Sequence, residues 1–164
     1  MSYNIYMKIS IIYVGKKNGD YEEKIEEYKK RILKYSDLDY LRLESVENTD
    51  GNTKTNESKI LKESEKIMEK IKPSDYVILL DETGSDLSSL DFAAMIDDRQ
   101  NDSSKRVVFI IGGAYGVSKE IIDRANYTMR LGKMVWPHEL VRLMLSEQLY
   151  RAYSILADLP YHHK

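Results

Sequence analysis

Two unbroken apolar runs, Val-Ile-Leu-Leu at residues 77–80 and Val-Val-Phe-Ile-Ile at 107–111, constrain this chain more than any other feature. A strand wetted on one side alternates apolar with polar residues. One that is apolar throughout must be covered on both faces, as in a parallel sheet with helices above and below it. Each run is followed by glycine, at Gly84 and at Gly112-Gly113, where the chain can turn. Helical periodicity fills the intervals. Tyr21, Ile25, Tyr28, Ile32 and Tyr35 share one face of a helix over 20–35, and Ile60, Ser64, Ile67, Met68 and Ile71 mark a second, stopped by Pro73. Further strands are expected at 7–14, 40–46, 76–81 and 127–131, with a polar loop over 47–56 and a turn at 82–84. A short helix is expected from about Ser88, another after Ser118 as its cap, and a long one from Pro137 to about Leu156. Strands and helices alternate, so the fold class is α/β with a mostly parallel sheet flanked by helices. At 164 residues this is one domain, 1–164.

Charge sharpens where to look. The 25 Lys+Arg and 27 Asp+Glu leave a net −2, which disfavours a protein that grips nucleic acid by bulk charge. The average conceals a gradient: residues 1–104 carry 16 basic and 22 acidic side chains, a net −6, whereas 105–164 carry 9 and 5, a net +4. All three histidines also lie in the basic third, so an anionic partner is sought there. The absence of cysteine removes disulfides, thiolate metal sites and a cysteine nucleophile, and favours a cytoplasmic protein. Residues 2–10 lack the pattern of a signal peptide, and no apolar stretch approaches the roughly 20 residues of a membrane span, so no membrane partner is expected.

In open parallel sheets ligands bind beyond the carboxyl ends of the strands. Three segments end there: Leu-Asp-Glu-Thr-Gly at 80–84, Ile-Gly-Gly-Ala-Tyr-Gly at 111–116, and Leu-Gly-Lys-Met-Val-Trp-Pro-His at 131–138. Several specific sites are excluded. The glycines at 112, 113 and 116 do not spell the dinucleotide fingerprint, no P-loop is present, and His138-Glu139-Leu140-Val141-Arg142 lacks the second histidine of a zinc protease; no metal site is expected. The final helix is apolar on more than one face, which fits either a second subunit covering it or burial within one chain. Arg142 and Arg151 on that helix are candidate phosphate contacts, although Glu147 and Arg151 also fit an ordinary i, i+4 surface pair. The terminal Pro160-Tyr161-His162-His163-Lys164 reads either as a frayed end or as an RNA contact.

These segments together resemble the ribosomal RNA large subunit methyltransferase H family, of the knotted SPOUT class. The resemblance rests on Phe109 to Gly116, Lys133 to Arg142, Glu147 to Ala152 and Pro160 to His163, and covers the chain from Met7, leaving residues 1–6 as an N-terminal extension. It implies a C-terminal trefoil knot, a homodimer, and S-adenosylmethionine as methyl donor without a metal. The implied activity is methylation of N3 of a pseudouridine in helix 69 of large-subunit rRNA on the assembled ribosome. By motif the cofactor would be held by Leu80, Gly112, Leu131, Gly132, Lys133, Met134, Val135 and Trp136. His162 would orient or deprotonate the base, Tyr161 shape its pocket, and Arg142 stabilise negative charge on the uracil or bind phosphate. Gly132 and Val135 stand where relatives often carry hydroxyls, and Asp158-Leu159 replaces the usual glycine before the tail. Other readings are a SPOUT enzyme acting on another RNA, a ribosome-binding module without catalysis, and a flavodoxin-like nucleotide-binding regulator.

Overall fold

A computed structural model describes residues 7–47, 53–102 and 106–163; the expected extension at 1–6 and residues 48–52 of the expected polar loop lie outside them. In chain order the elements are β1 (Lys8–Val14), α1 (Glu22–Ile32), β2 (Asp37–Leu43), α2 (Thr53–Met68), β3 (Tyr76–Asp86), α3 (Ser89–Asn101), β4 (Arg106–Ile111), α4 (Lys119–Arg124), β5 (Tyr127–Arg130) and α5 (His138–Leu156). The five strands form one sheet in the order β2-β1-β4-β3-β5, with every pairing parallel.

The apolar runs occupy its centre, as their composition requires. Because side chains alternate across a strand, each run feeds two cores. Ile78, Val107, Phe109 and Ile111 join Ile9 and Ile11 on the face covered by α1, α3 and α5, where Ile32, Phe92, Leu145 and Leu149 pack. Val77, Leu79, Val108 and Ile110 point the other way, with Ile12 and Val14, against Ile67 of α2 and Ile121 of α4. This double burial explains why neither central strand shows the two-residue alternation of a wetted sheet.

The structure departs from the sequence reading at several boundaries. β2 begins at Asp37, three residues before the expected start, because Ser36 Oγ donates to Met7 O and the register pairs Lys8 with Asp37. The Lys8–Asp39 ion pair, 3.1 Å, reinforces a start that Ser-Asp-Leu-Asp disguises as a turn. α2 begins at Thr53, inside the stretch expected as loop, where a polar turn of helix has loop-like composition. α3 runs thirteen residues, longer than the short helix expected, on a complete capping box between Ser88 and Asp91. Ser118 stands at the N-cap of α4 but its side chain makes no cap bond; its backbone N–H instead donates to Ser64 Oγ at 2.9 Å. β3 continues through the expected turn. Leu80 and Ser85 both lie opposite Met129, so 81–84 bulge out of register, with Thr83 N–H and Oγ1 both donating to Asp81 Oδ1.

Candidate functional site

The bulge of β3 and the carboxyl ends of β4 and β5 open into a cavity of about 390 Å³, walled by residues 79–82 of β3 and by the segments after β4 and β5. Leu80, Gly112, Leu131, Gly132, Met134, Val135 and Trp136 all line it; of the eight residues expected to hold a cofactor, only Lys133 does not. Four of its lining residues are glycines, at 112, 113, 116 and 132. A Cβ on Gly112 would stand 2.7 Å from Val117 Cγ1, so glycine lets the 112–117 loop close on itself, and Gly116 N–H donates to Gly113 O at 3.0 Å. The 131–136 segment is fixed at both ends. Arg130 Nε and Nη2 donate to the Asp86 carboxylate at 2.7 and 2.9 Å, and Trp136 Nε1 donates to Leu131 O at 3.2 Å. Between these anchors Met134 and Val135 stand 71% and 77% exposed at the rim, apolar surface available to a ligand. At the floor, burial pushes the His138 imidazole below its ordinary pKa while the Glu63 charge pulls it up, which favours a neutral ring.

Gly132 adopts φ +115°, in the region that side chains avoid. Gly132→Ala is therefore expected to cost about 1–2 kcal/mol through backbone strain, although no neighbouring atom lies closer than 3.9 Å to the added methyl. Thermal melts of the variant and parent check this, and an unchanged Tm would show that the loop re-forms without the left-handed turn.

A second cavity, about 560 Å³, lies behind the same segment: Arg130, Leu131 and Gly132 line both. Phe92, Leu143 and Met144 contribute to its apolar wall, and Asp86 and Glu147 bring carboxylates to it. The C-terminal tail docks beside it. Tyr161 Oη donates to Glu147 Oε1 at 3.1 Å, and Arg151 Nε and Nη2 donate to the same oxygen at 3.0 and 2.6 Å. Tyr161 packs edge-on against Tyr150, 4.8 Å between centroids, and the Arg151 guanidinium lies over its ring at 4.8 Å. Burial, the Tyr28 hydroxyl and the Glu147 carboxylate all raise the Tyr161 pKa, holding the phenol protonated. His162 Nδ1 lies 3.5 Å from Arg151 Nη1. Glu147 and Arg151 thus hold Tyr161 and His162 of the tail rather than forming an isolated surface pair; Lys164 lies outside the described residues.

Arg142 is elsewhere. It is 2% exposed, on the α5 face turned toward β1 and α1, and neither cavity includes it. Its guanidinium forms a two-pronged ion pair with Glu22 and lies 4.1 Å from the centroid of the Tyr13 ring. The structure brings Tyr161 and His162 together and sets Arg142 apart from them, buried and outside both cavities. The sequence reading also passed over Glu63, a buried carboxylate behind the 112–117 loop. Its signal was its register: three residues after Ile60 and four before Ile67, a charge stands in the apolar stripe of α2. Among the described residues no group of three or more His, Cys, Asp or Glu is placed to hold a metal ion, and no helix is long and apolar enough to cross a membrane.

Comparison with known proteins adds the lineage. Residues 7–162 match the family model described as "Predicted SPOUT methyltransferase". The chain is 41% identical over 159 residues to the ribosomal RNA large subunit methyltransferase H of Carboxydothermus hydrogenoformans, covering 95% of this chain and 99% of that protein. It is 42% identical to that of Clostridium beijerinckii, with the same coverage, and 35% identical to that of Parabacteroides distasonis, covering 96% and 100%. A solved structure described as the crystal structure of a hypothetical protein shares the fold at a TM-score of 0.53 and 14% identity, over 94% of this chain and 71% of that one.

Proposed function

Since the chain belongs to the ribosomal RNA large subunit methyltransferase H family of SPOUT methyltransferases, we propose that it transfers a methyl group from S-adenosylmethionine to N3 of a pseudouridine in helix 69 of large-subunit rRNA, on the assembled ribosome. The observation that carries this reading is the cavity at the β3 bulge and the ends of β4 and β5, lined by seven of the eight residues the family motif assigns to the cofactor. Its volume is in the ordinary range for a small-molecule site, and its glycine-edged main chain suits an adenine read by backbone N–H and C=O groups. The residues therefore fit the cofactor. When bound, S-adenosylmethionine supplies a methyl group on a cationic sulfur that departs as a neutral thioether.

The chain's own part is to hold and orient. Leu80, Gly112 and residues 131–136, without the Lys133 side chain, form the cofactor wall, and the Asp86–Arg130 pair keeps the last of these segments in place. Tyr161 and His162, clamped by Glu147 and Arg151, stand beside the second cavity, where the acceptor base enters in this reading. In this reading His162 Nδ1 accepts from Arg151 Nη1, 3.5 Å away, which directs Nε2 and its proton toward the base. His162 thus orients the base by donating to a carbonyl oxygen, and most of the rate arises from positioning. His162→Ala is expected to lower kcat at least tenfold in methyl transfer to ribosomes, with cofactor affinity unchanged; full activity removes the role.

The same proposal includes a C-terminal trefoil knot, a homodimer and a cytoplasmic place of work. Dimerisation is supported by apolar Leu143 and Met144 in the second cavity and by exposed Leu156 and Leu159 at the end of α5. The deciding experiment is transfer of labelled methyl from S-adenosylmethionine to assembled ribosomes, separate subunits and free rRNA, followed by mapping of the modified nucleotide. Methylation of one pseudouridine at N3, with assembled ribosomes preferred, is the expected result. Transfer to another RNA, or none despite cofactor binding, overturns it.

A further inference from the structure

We propose that Glu63 is a specificity-determining residue of the cofactor cavity, its carboxylate setting a negative charge in the wall that favours a cationic sulfonium ligand over the neutral thioether left after transfer. This rests on the methyltransferase reading above and deepens it.

The argument begins at Gly113, which lines the cavity and contributes no side chain. The space that a Cβ on Gly113 would take is filled by Glu63 Oε2, reaching across from α2, with Val14 Cγ1 on the other side. Glu63 in effect supplies the side chain that Gly113 lacks. The carboxylate is held rigidly. Ser45 Oγ and Val46 N–H both donate to Oε1 at 3.0 Å, and the Glu63 side chain is 4% exposed. Such a buried carboxylate keeps much of its field, because water does not surround it. A cation partly masks it: Lys59 Nζ lies 3.9 Å from Oε1 and 5.5 Å from the centroid of the Tyr115 ring. His138 lines the same space, and there the Glu63 charge pulls its pKa up against the burial that lowers it. Ser64, the next residue of α2, accepts from Ser118 N–H, so one helix braces both ends of the loop and brings this charge with it.

A negative wall acts differently on two ligands of nearly equal shape. S-Adenosylmethionine carries a positive sulfur and S-adenosylhomocysteine does not, so a charge effect changes the ratio of their affinities, whereas a purely structural defect weakens both alike. Calorimetric titration of each into parent, Glu63→Gln and Lys59→Gln proteins reads that ratio. Glu63→Gln is isosteric and keeps an acceptor for Ser45 and Val46. It is expected to weaken S-adenosylmethionine roughly threefold to tenfold relative to S-adenosylhomocysteine. Lys59→Gln, which unmasks the carboxylate, is expected to move the ratio the other way, and decides the matter alone if Glu63→Gln does not fold. A ratio unchanged in the folded variants, or moved in the same direction by both, overturns the inference. A parent protein that binds neither nucleoside overturns the methyltransferase reading itself, and this inference with it.

Discussion

Arg142→Ala is expected to lower the melting temperature by roughly 10 °C. The side chain is 2% exposed and is among the largest fully buried groups of the molecule. Truncation removes the ion pair to Glu22 and the stacking on Tyr13, and leaves a cavity between α5, α1 and β1. Breaking a buried pair costs about 3–5 kcal/mol, and since the Glu22 side chain is itself 40% exposed the lower figure applies. About 3 kcal/mol in a domain of this size corresponds to a Tm shift near 10 °C. Arg142→Lys keeps the charge but loses the two-pronged geometry, and should fall between parent and Ala. Differential scanning calorimetry measures the shift. The alternative is a guanidinium that touches substrate. It predicts the opposite pattern, an unchanged Tm with methyl transfer abolished, and that result would return Arg142 to the site.

Arg142 also shows where sequence stops informing on function. The family motif that contains it points to the active site, and nothing in residues 133–142 announces that its guanidinium is buried. What buries it is Glu22, 120 residues away, arriving only when α1 packs on α5. The same limit hid Glu63, whose partners Ser45 and Val46 follow β2 and whose neighbour Gly113 follows β4. By contrast, the sheet centre was readable because burial on both faces writes itself locally into residues 77–80 and 107–111. The wall of the 390 Å³ cavity was readable for a related reason. Loops after strands in a parallel sheet converge at one end, so the 112–116 and 131–136 segments had to meet once the strand order set β3 between β4 and β5. The strand edges were less legible. β2 starts early because β1 fixes its register, a pairing to which its own Ser-Asp-Leu-Asp composition gives no clue.

The second large effect is expected at Gly84, where the bulge of β3 passes closest to β5. An added Cβ would stand 2.5 Å from Met129 C and 2.7 Å from both Met129 Cα and N. All three are main-chain atoms, so no rotamer change relieves the overlap and one of the two strands must move. This distinguishes Gly84 from Gly113, where the obstacle is the end of the Glu63 side chain, and from Gly116, where no atom lies within 4 Å. β5 is an edge strand of four residues, held on one side only, and is the element that yields. Its displacement carries Arg130 away from Asp86, and with it the anchor of the 131–136 wall. Gly84→Ala is therefore expected to cost about 3 kcal/mol in stability and to weaken S-adenosylmethionine by at least tenfold in the protein that remains folded. Asp86→Asn removes the anchor's charge without the steric clash, and should reproduce part of the affinity loss at a small stability cost, since that pair is partly solvated. Chemical denaturation and calorimetry on both variants separate the two effects. If Gly84→Ala melts and binds like the parent, β3 and β5 do not approach as closely as the register requires, and the cofactor wall owes its position to something other than this crossing.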